Sequence, residues 1–327
     1  MQTDRNLTPL DPTPRNAHAM SFARIVALTS LAMIAFAGNS LLCRIALEHT
    51  SIDAATFTTI RLISGAVMLW LVVQIRRGSH TGGGNWLSAT ALFVYAAAFS
   101  FAYVSLPAAS GALLLFGAVQ ATMIAYGIRA GERLRKLQLA GLVLALGGLV
   151  GLLLPGLSAP PLYGSVLMLG AGVAWGVYSL RGKGAGDPIR VTAGNFLRAA
   201  PLAAVLSIGM LRDLALDTAG ILYAVSSGVL ASGIGYAIWY TALPALNATH
   251  AATVQLSVPV IAALGGVLFL GEPIDLRLIL ASAAILGGIA LVIVVKRPPK
   301  CCAAKVTSAA SPTGKTATPR RPSQRAP

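Results

Sequence analysis

The chain has 327 residues, of which 56% are hydrophobic and only 11% are charged, and its mean hydropathy is +0.74. Soluble globular domains carry about 25% charged residues, so this composition excludes a water-soluble fold and indicates a protein embedded in lipid. The formal net charge of +15 does not indicate a nucleic-acid binder, because the basic residues lie in short connections and in the C-terminal tail.

The predicted elements begin after a polar N-terminal segment. Residues 1–22 contain proline and are not followed by a short apolar stretch with a cleavage site, so we predict a tail rather than a signal peptide. Ten apolar stretches follow, each near the length of about 20 residues that spans a bilayer as a helix. The predicted spans are 24–46, 54–75, 86–105, 108–128, 137–155, 162–181, 190–209, 219–241, 245–270 and 276–295.

The last segment and the distribution of positive charge predict the orientation. Residues 296–327 are basic, rich in proline and poor in apolar residues, and they are predicted to be a disordered tail. If the N-terminus is cytoplasmic, the tails and connections on that side contain 20 of the 25 Lys and Arg residues, and the opposite side contains three. The positive-inside rule therefore predicts a multi-pass protein of the cell (inner) membrane with both termini in the cytoplasm.

Two patterns in the sequence occur twice. Residues 131–148 read GERLRKLQLAGLVLALGG and residues 271–288 read GEPIDLRLILASAAILGG, an offset of 140. Residues 103–108 read YVSLPA and residues 240–245 read YTALPA, an offset of 137. One insertion of three residues in the fourth or ninth span reconciles the two offsets, so the sequence predicts an internal duplication.

The duplication divides the chain into two halves of five spans, residues 23–155 and residues 156–295. The offset of 137 also relates Arg61 to Arg198, one in the second span and the other in the seventh. Five is an odd number, so the second half enters the membrane from the opposite side. We therefore predict an all-α integral membrane protein of ten helices in two inverted repeats, an architecture typical of alternating-access transporters.

The chain resembles the drug/metabolite transporter superfamily, in particular its ten-helix EamA-type exporters. The resemblance covers residues 23–296 and rests on motifs that follow one another in order. These motifs are Gly38-Asn39, Arg61, Trp175-Gly176, Arg198, Ser257-Val258-Pro259, Leu270-Gly271-Glu272 and the Gly-Gly pair that follows. The resemblance implies a helical bundle with a central cavity that moves small metabolites, often amino acids, out of the cell.

The match departs from the family pattern at two positions. Asn39 stands where the family often has an aromatic-glycine start, and Gln120 lies near a position where the family often has proline. These departures affect the expected substrate and leave the expected fold unchanged.

Arg61 and Arg198 are the charged residues that lie well inside the predicted spans, about eight residues from the start of each. A charge at mid-span costs about 2.5–3.5 kcal/mol on insertion scales, so each is retained for a reason. Two interpretations stay open for both: the side chain faces the cavity and attracts a carboxylate or phosphate, or it snorkels or pairs with carbonyl groups between helices.

The other candidates are neutral side chains within the spans. Amides there either join helices or contact a substrate, and the aromatic residues either line a cavity or pack between helices. Trp175 and Tyr178 lie about one helical turn apart, so they share a face. The predicted substrate-binding residues are Asn39, Arg61, Tyr103, Gln120, Trp175, Tyr178, Arg198, Tyr240 and Gln255.

Acidic residues, histidine and cysteine contribute little to the predicted site. Glu132 and Glu272 follow a glycine at the ends of spans, which favours a role in connecting helices over one in carrying protons. His250 is more typical of packing near the membrane interface than of proton transfer. The three cysteines lack metal-ligand spacing, so the sequence predicts no metal and no cofactor.

These observations predict a secondary transporter for small metabolites, with amino acids or related anionic or zwitterionic compounds as substrates and efflux as the direction. The predicted partners are that substrate and the lipid bilayer, a homodimer is left open, and nucleic acid is not expected. Two alternatives stay open. An intramembrane hydrolase would need a serine such as Ser110 or Ser232 with a base, for which His250 is the candidate, and a membrane scaffold or receptor would not need inverted repeats.

Overall fold

A computed structural model describes residues 21–76, 83–131, 135–154, 159–182, 186–246 and 254–294 of the chain. Helices account for nearly all of these residues, and no strand occurs among them. The helices are α1 (Phe22–His49), α2 (Ala54–Ile75), α3 (Trp86–Tyr103), α4 (Ala108–Arg129), α5 (Lys136–Leu153), α6 (Leu162–Arg181), α7 (Pro188–Gly209), α8 (Thr218–Ala245), α9 (Ser257–Leu270) and α10 (Leu276–Val294).

These helices confirm the predicted all-α membrane architecture. Nine of the described helices are long and apolar enough to cross a membrane, and α9 is a shorter apolar helix. The predicted start of the ninth span at residue 245 is wrong, because residues 243–245 form the last 3₁₀ turn of α8; residues 247–253 lie outside the described residues, and α9 covers Ser257–Leu270. His250, Glu132 and both predicted tails, apart from residues 21 and 22, lie outside the described residues.

Helix contacts follow the predicted two-fold relation between the halves. If α1 to α5 correspond to α6 to α10, the packing of α3 on α6 has its counterpart in the packing of α8 on α1. The packing of α4 on α6 likewise corresponds to that of α9 on α1. The equivalent helices α2 and α7 contact each other, as do α5 and α10. The two halves therefore form one bundle with their equivalent helices at the interface.

Polar residues at the helix starts explain where several helices begin. A side-chain oxygen accepts a hydrogen bond from the first turn at Asp53 of α2, Asn85 of α3, Asp187 of α7, Asp217 of α8 and Asp275 of α10. Each cap satisfies one backbone donor that the helix itself leaves free. These four aspartates are thus used at helix ends, away from the middle of the membrane.

Glycines allow close packing of α6 on α4, as the Gly-xxx-Gly spacing predicts. A Cβ atom at Gly172 would lie 2.6 Å from the carbonyl oxygen of Leu115, and one at Gly176 would lie 2.8 Å from Cβ of Thr122. The same spacing at Gly147 and Gly151 does not mark a contact between the described helices, because a Cβ at either would have no neighbour within 4 Å among the described residues.

The middle of α8 is wider than an α-helix. Residues Ser227–Ile234 form a π-helical segment between two α-helical parts. This segment packs tightly on α2, since a Cβ at Gly228 would clash with the carbonyl oxygen of Arg61. Such π segments occur often at functional sites, and this one contributes two serines to the polar cluster described below.

Candidate functional site

A cavity of about 390 Å³ lies between the two halves. Side chains from α1, α3, α4, α6, α7 and α8 line it, together with Gln255 just before α9. Six of the nine predicted site residues are among them: Asn39, Gln120, Trp175, Tyr178, Tyr240 and Gln255. The sequence therefore identified a set of residues that the fold brings together.

The cavity reaches the surface at one end of the bundle, which we call the open end. Gly182, which ends α6, and Pro188, which begins α7, line the cavity and are exposed. Leu243 and Gln255 line the same end. A small molecule could thus enter along the ends of α6, α7 and α8.

The opposite end is closed by a cluster of charged groups, Arg44, Glu48 and Glu272, which we call the closed end. Glu272 accepts hydrogen bonds from the Ala108 backbone nitrogen at 2.9 and 2.8 Å and from Nε of Arg44 at 3.3 Å. Arg44 also donates to the Tyr103 carbonyl at 3.1 Å and pairs with Glu48 at 2.7 Å. This cluster connects α1, the start of α4 and the connection between α9 and α10.

The Gly-Glu motif of the second half has a structural role at this end. Gly271 adopts a left-handed conformation with φ of 64°, which terminates α9. The chain then turns so that the carboxylate of Glu272 reaches the first backbone nitrogen of α4. The predicted role of Glu272 in connecting helices is confirmed.

Arg61 lies inside the bundle, directly behind the cavity. Its side chain is 1% exposed and does not snorkel to the surface. Its Nη2 atom donates to the Tyr95 hydroxyl at 3.1 Å, and its Nε atom donates to Ser232 Oγ at 3.5 Å. The guanidinium also lies over the rings of Tyr95 and Phe99, 5.3 and 4.9 Å from their centroids. Arg61 therefore reaches the cavity through Tyr95.

A buried hydrogen-bonded chain extends from Tyr95 to the π segment of α8. The amide nitrogen of Asn39 donates to the Tyr95 hydroxyl at 3.4 Å, and the amide oxygen of Asn39 accepts from Ser227 Oγ at 2.7 Å. Asn39 thus connects α1, α3 and α8. Its first function in this fold is to join helices, while one face of it lines the cavity.

Aromatic rings form one wall of the cavity. Trp175 stacks on Tyr236, with ring centroids 5.3 Å apart and planes 15° apart, and on Tyr178, at 5.3 Å and 28°. Tyr95 meets the same indole at 4.8 Å. The predicted shared face of Trp175 and Tyr178 is confirmed, and the wall presents flat apolar surface with hydroxyl groups at its edges.

A second polar group lies near the open end. The Tyr178 hydroxyl donates to Thr192 Oγ1 at 3.4 Å and accepts from the amide nitrogen of Asn195 at 3.5 Å. The amide oxygen of Asn195 accepts from the backbone nitrogen of Asn85 at 2.9 Å. These bonds fix the ring of Tyr178 against the start of α3.

Three predicted site residues do not line the cavity surface: Arg61, Tyr103 and Arg198. Tyr103 is fully buried, with its ring edge-on to Phe99 at 4.8 Å. Arg198 is partly exposed and donates to the carbonyls of Gly83 and, at 2.9 Å, Gly194. Arg198 therefore reaches toward the start of its own helix and away from the cavity, because helical side chains lean toward the N-terminus.

Tyr95, Ser232 and Tyr236 are cavity residues that the sequence reasoning missed. The repeat offers a signal for them, because Tyr95 and Ser232 are 137 residues apart and both bond to Arg61. Phe99 and Tyr236 are also related by this offset, and both line the cavity. Among the described residues, no three His, Cys, Asp or Glu side chains come together as a metal-binding group.

Comparison with solved structures supports the fold. A protein of known crystal structure superposes with a TM-score of 0.61, covering 85% of this chain and 99% of that chain. Its sequence is 20% identical, so this likeness concerns the fold alone.

Sequence relatives and a family model identify the family. The uncharacterized protein PA1977 of Pseudomonas aeruginosa is 60% identical over 271 residues, which are 83% of this chain and 94% of the relative. The threonine/homoserine exporter RhtA of Salmonella typhimurium is 34% identical over 160 residues, which are 46% of this chain and 53% of the exporter. The model of the EamA-like transporter family matches residues 23–154 and again residues 162–294. With two copies of this domain and apolar helices throughout, the chain is a multi-pass membrane protein that belongs to the EamA-like transporter family.

Proposed function

We propose that this protein is a secondary transporter that exports amino acids or related anionic or zwitterionic metabolites by alternating access. The observation that carries the proposal is a cavity between two inverted halves that is open at one end and closed by ion pairs at the other. Transporters of this architecture bind substrate between their repeats and move one half against the other.

The predicted orientation indicates on which side of the membrane the open end lies. The connection between α6 and α7 belongs to the side with the excess of Lys and Arg, which the positive-inside rule assigns to the cytoplasm. The cavity then faces the cytoplasm, where an exporter collects its cargo. The closed end, at Arg44 and Glu272, then faces the periplasm.

The lining of the cavity favours a substrate that carries a carboxylate. None of the described lining residues is Asp or Glu, and Arg61 lies directly behind Tyr95. A bare cation would find no carboxylate there, whereas a negatively charged group is attracted by the buried guanidinium. The partial similarity to an exporter named for threonine and homoserine agrees with an amino-acid substrate.

The site supports neither of the two alternatives, an intramembrane hydrolase or a membrane scaffold. Ser232 Oγ accepts from the cation of Arg61, so this serine faces a charge that cannot remove its proton. The candidate base His250 lies outside the described residues. A scaffold would have no use for a cavity of this size between its halves.

The test is transport by the purified full-length protein in proteoliposomes. Counterflow of radiolabelled L-threonine and a panel of other amino acids is measured against liposomes that carry a Trp175→Ala variant. The proposal predicts saturable movement of at least one amino acid, reduced at least tenfold in the variant. Faster movement of lipophilic cations than of any amino acid or organic anion would contradict it.

The direction is tested in cells. A deletion strain and an overexpressing strain are compared by untargeted metabolite profiling of cells and medium. Export predicts that the cargo accumulates inside the deletion strain and is depleted from the overexpressing strain. The reverse distribution would show an importer.

A further inference from the structure

Two buried donors, one lining the cavity and one behind it, have no partner. Among the buried side-chain nitrogen and oxygen atoms of the described residues, only Nη1 of Arg61 and Nε2 of Gln120 form no hydrogen bond. Gln120 is 3% exposed and lines the cavity. A buried donor without an acceptor is unfavourable, so Nε2 of Gln120, whose residue lines the cavity, favours a ligand that brings an acceptor oxygen.

The hydroxyl of Tyr95 is also limited to donating. Its oxygen accepts from Arg61 Nη2 at 3.1 Å and from Asn39 Nδ2 at 3.4 Å, which uses both of its lone pairs. The orientation of the Asn39 amide is itself fixed, because its oxygen accepts from Ser227 at 2.7 Å. Any further bond from Tyr95, which lines the cavity, must therefore be one that its own hydrogen makes.

The charge around these donors is positive and uncompensated. Arg61 is in neither of the ion pairs that Arg44 forms with Glu48 and Glu272, and no described carboxylate bonds to Arg61. The faces of Tyr95 and Phe99 stabilise the guanidinium only in part. An anionic group in the cavity would both accept a hydrogen bond from Gln120 Nε2 and offset this charge.

We propose that the Tyr95 hydroxyl and Gln120 Nε2 form a carboxylate-binding subsite, with Arg61 as the residue that positions Tyr95. Arg61 occupies one lone pair of the Tyr95 oxygen, directs its hydrogen toward the cavity and supplies positive potential. The apolar part of the ligand lies against the stacked rings of Trp175 and Tyr236. This inference rests on the proposed function. It assigns recognition of the substrate carboxylate to the Tyr95 hydroxyl and Gln120 Nε2.

Tyr178 provides a matched control in the same cavity. Its hydroxyl already donates to Thr192 Oγ1, so it has no hydrogen left for a ligand. Replacing Tyr178 by phenylalanine removes an oxygen from the same aromatic wall without removing a free donor. The two substitutions Tyr95→Phe and Tyr178→Phe therefore differ in the one property that the proposal concerns.

The experiment measures the dissociation constants of matched carboxylates and amides by isothermal titration calorimetry on the full chain in nanodiscs. The probes are L-threonine with L-threonine amide, and 3-phenylpropionate with its amide, the second pair having no amino group. The wild type is expected to prefer each carboxylate to its amide by about tenfold or more, because hydrogen bonds to charged groups are the stronger class.

Single substitutions test the contribution of each atom in the proposed subsite. Tyr95→Phe and Gln120→Leu should each reduce the preference for the carboxylate about tenfold while changing amide affinity less than about twofold. Gln120→Glu should reduce it further by repulsion. Arg61→Lys should retain part of the preference that Arg61→Gln loses, because lysine keeps the charge, and Tyr178→Phe should leave the ratio unchanged.

The outcomes distinguish this proposal from the proposed function. A wild type without preference for either carboxylate, or a preference that Tyr95→Phe and Gln120→Leu both leave intact, overturns the subsite even if threonine is transported. A preference that these variants abolish supports the subsite, even if proteoliposomes move no amino acid and the proposed cargo is wrong.

Discussion

The two ends of the bundle contain equivalent residues of the two repeats in different states. Arg44 and Arg181 are 137 residues apart, yet Arg44 is buried in ion pairs at the closed end, whereas Arg181 bonds to Ser88 Oγ at 3.3 Å at the open end. Tyr103 and Tyr240 are related in the same way, and only Tyr240 lines the cavity. Two nearly interchangeable halves thus adopt unequal packing.

This difference explains how a duplicated sequence makes an asymmetric cavity. A structure with perfect two-fold symmetry would be equally open or equally closed at both ends. Alternating access requires that the two ends exchange these states, and the repeat supplies similar residues at each end for that exchange. Under the proposed alternating access, the contacts of the closed end must break, so they are the place to test the comparison.

The largest expected effect concerns the paired tyrosines. Tyr103→Ala should lower the free energy of unfolding by about 3–5 kcal/mol, because it leaves a void in fully packed surroundings. Tyr240→Ala should cost about 1–2 kcal/mol, since its ring already borders an open cavity. Unfolding in mixed micelles measures both values. Equal losses would show that the two ends are packed alike.

The next effect concerns the paired arginines. In a chain whose native cysteines are replaced and that carries Ser40→Cys in the cavity, an impermeant thiol reagent is added from the side of the closed end. Arg44→Gln should increase the labelling rate about tenfold or more, because it removes charge-assisted bonds to Glu272 and Glu48.

Arg181→Gln is the matched control for this measurement. It removes the equivalent charge at the open end and should change the labelling rate from the closed end less than about twofold. Equal acceleration of labelling by both substitutions would contradict the difference between the closed end and the open end.

A smaller effect is expected from Glu272→Gln. The amide oxygen can still accept from the Ala108 backbone, but the charge that attracts Arg44 is lost. The same labelling rate should rise about threefold, since neutral hydrogen bonds are roughly half as strong as charged ones. Asp275→Asn is the control, because this carboxylate caps α10 and belongs to the same connection. An increase with Asp275→Asn alone would assign the closure to the helix cap.

The smallest effect separates the repeat-related Arg198 from Arg61. Arg198→Gln should change amino-acid transport less than about twofold, because its bonds to Gly83 and Gly194 lie away from the cavity. Transport in proteoliposomes measures this, with Arg61→Gln as the comparison. A loss in Arg198→Gln as large as that in Arg61→Gln would place both arginines in the transport path.

The fold could be predicted because bilayer thickness fixes the length of an apolar span, and because a duplication with five spans fixes the topology. The predicted ninth span overlaps the last turn of α8 at residue 245, because hydropathy cannot separate that turn, at Leu243 to Ala245, from the start of the next helix. The Gly-xxx-Gly spacing accompanies a close helix contact at Gly172 and Gly176 but not at Gly147 and Gly151, since spacing does not say which face meets a neighbour.

The site was only partly predictable, because polar residues in spans are conspicuous and common residues are not. Six of the predicted residues line the cavity. Tyr95 and Ser232 are not among the predicted binding residues, because a hydroxyl group in an apolar span does not by itself indicate a contact with substrate. Their importance depends on a contact with Arg61 that joins α2 to α3 and α8. Arg198 shows the converse, because its equivalence in sequence to Arg61 does not give it an equivalent environment.

The central claim is that two inverted halves thread the membrane in opposite directions. It is tested most directly by labelling the connection between α4 and α5 and its counterpart between α9 and α10. Lys136 and Pro273 are both exposed, one at the start of α5 and the other before α10. In a chain without native cysteines, Lys136→Cys should react with an impermeant maleimide only from the cytoplasmic side, and Pro273→Cys only from the opposite side. Reaction of both from the same side would contradict the inverted repeat and the transport mechanism built on it.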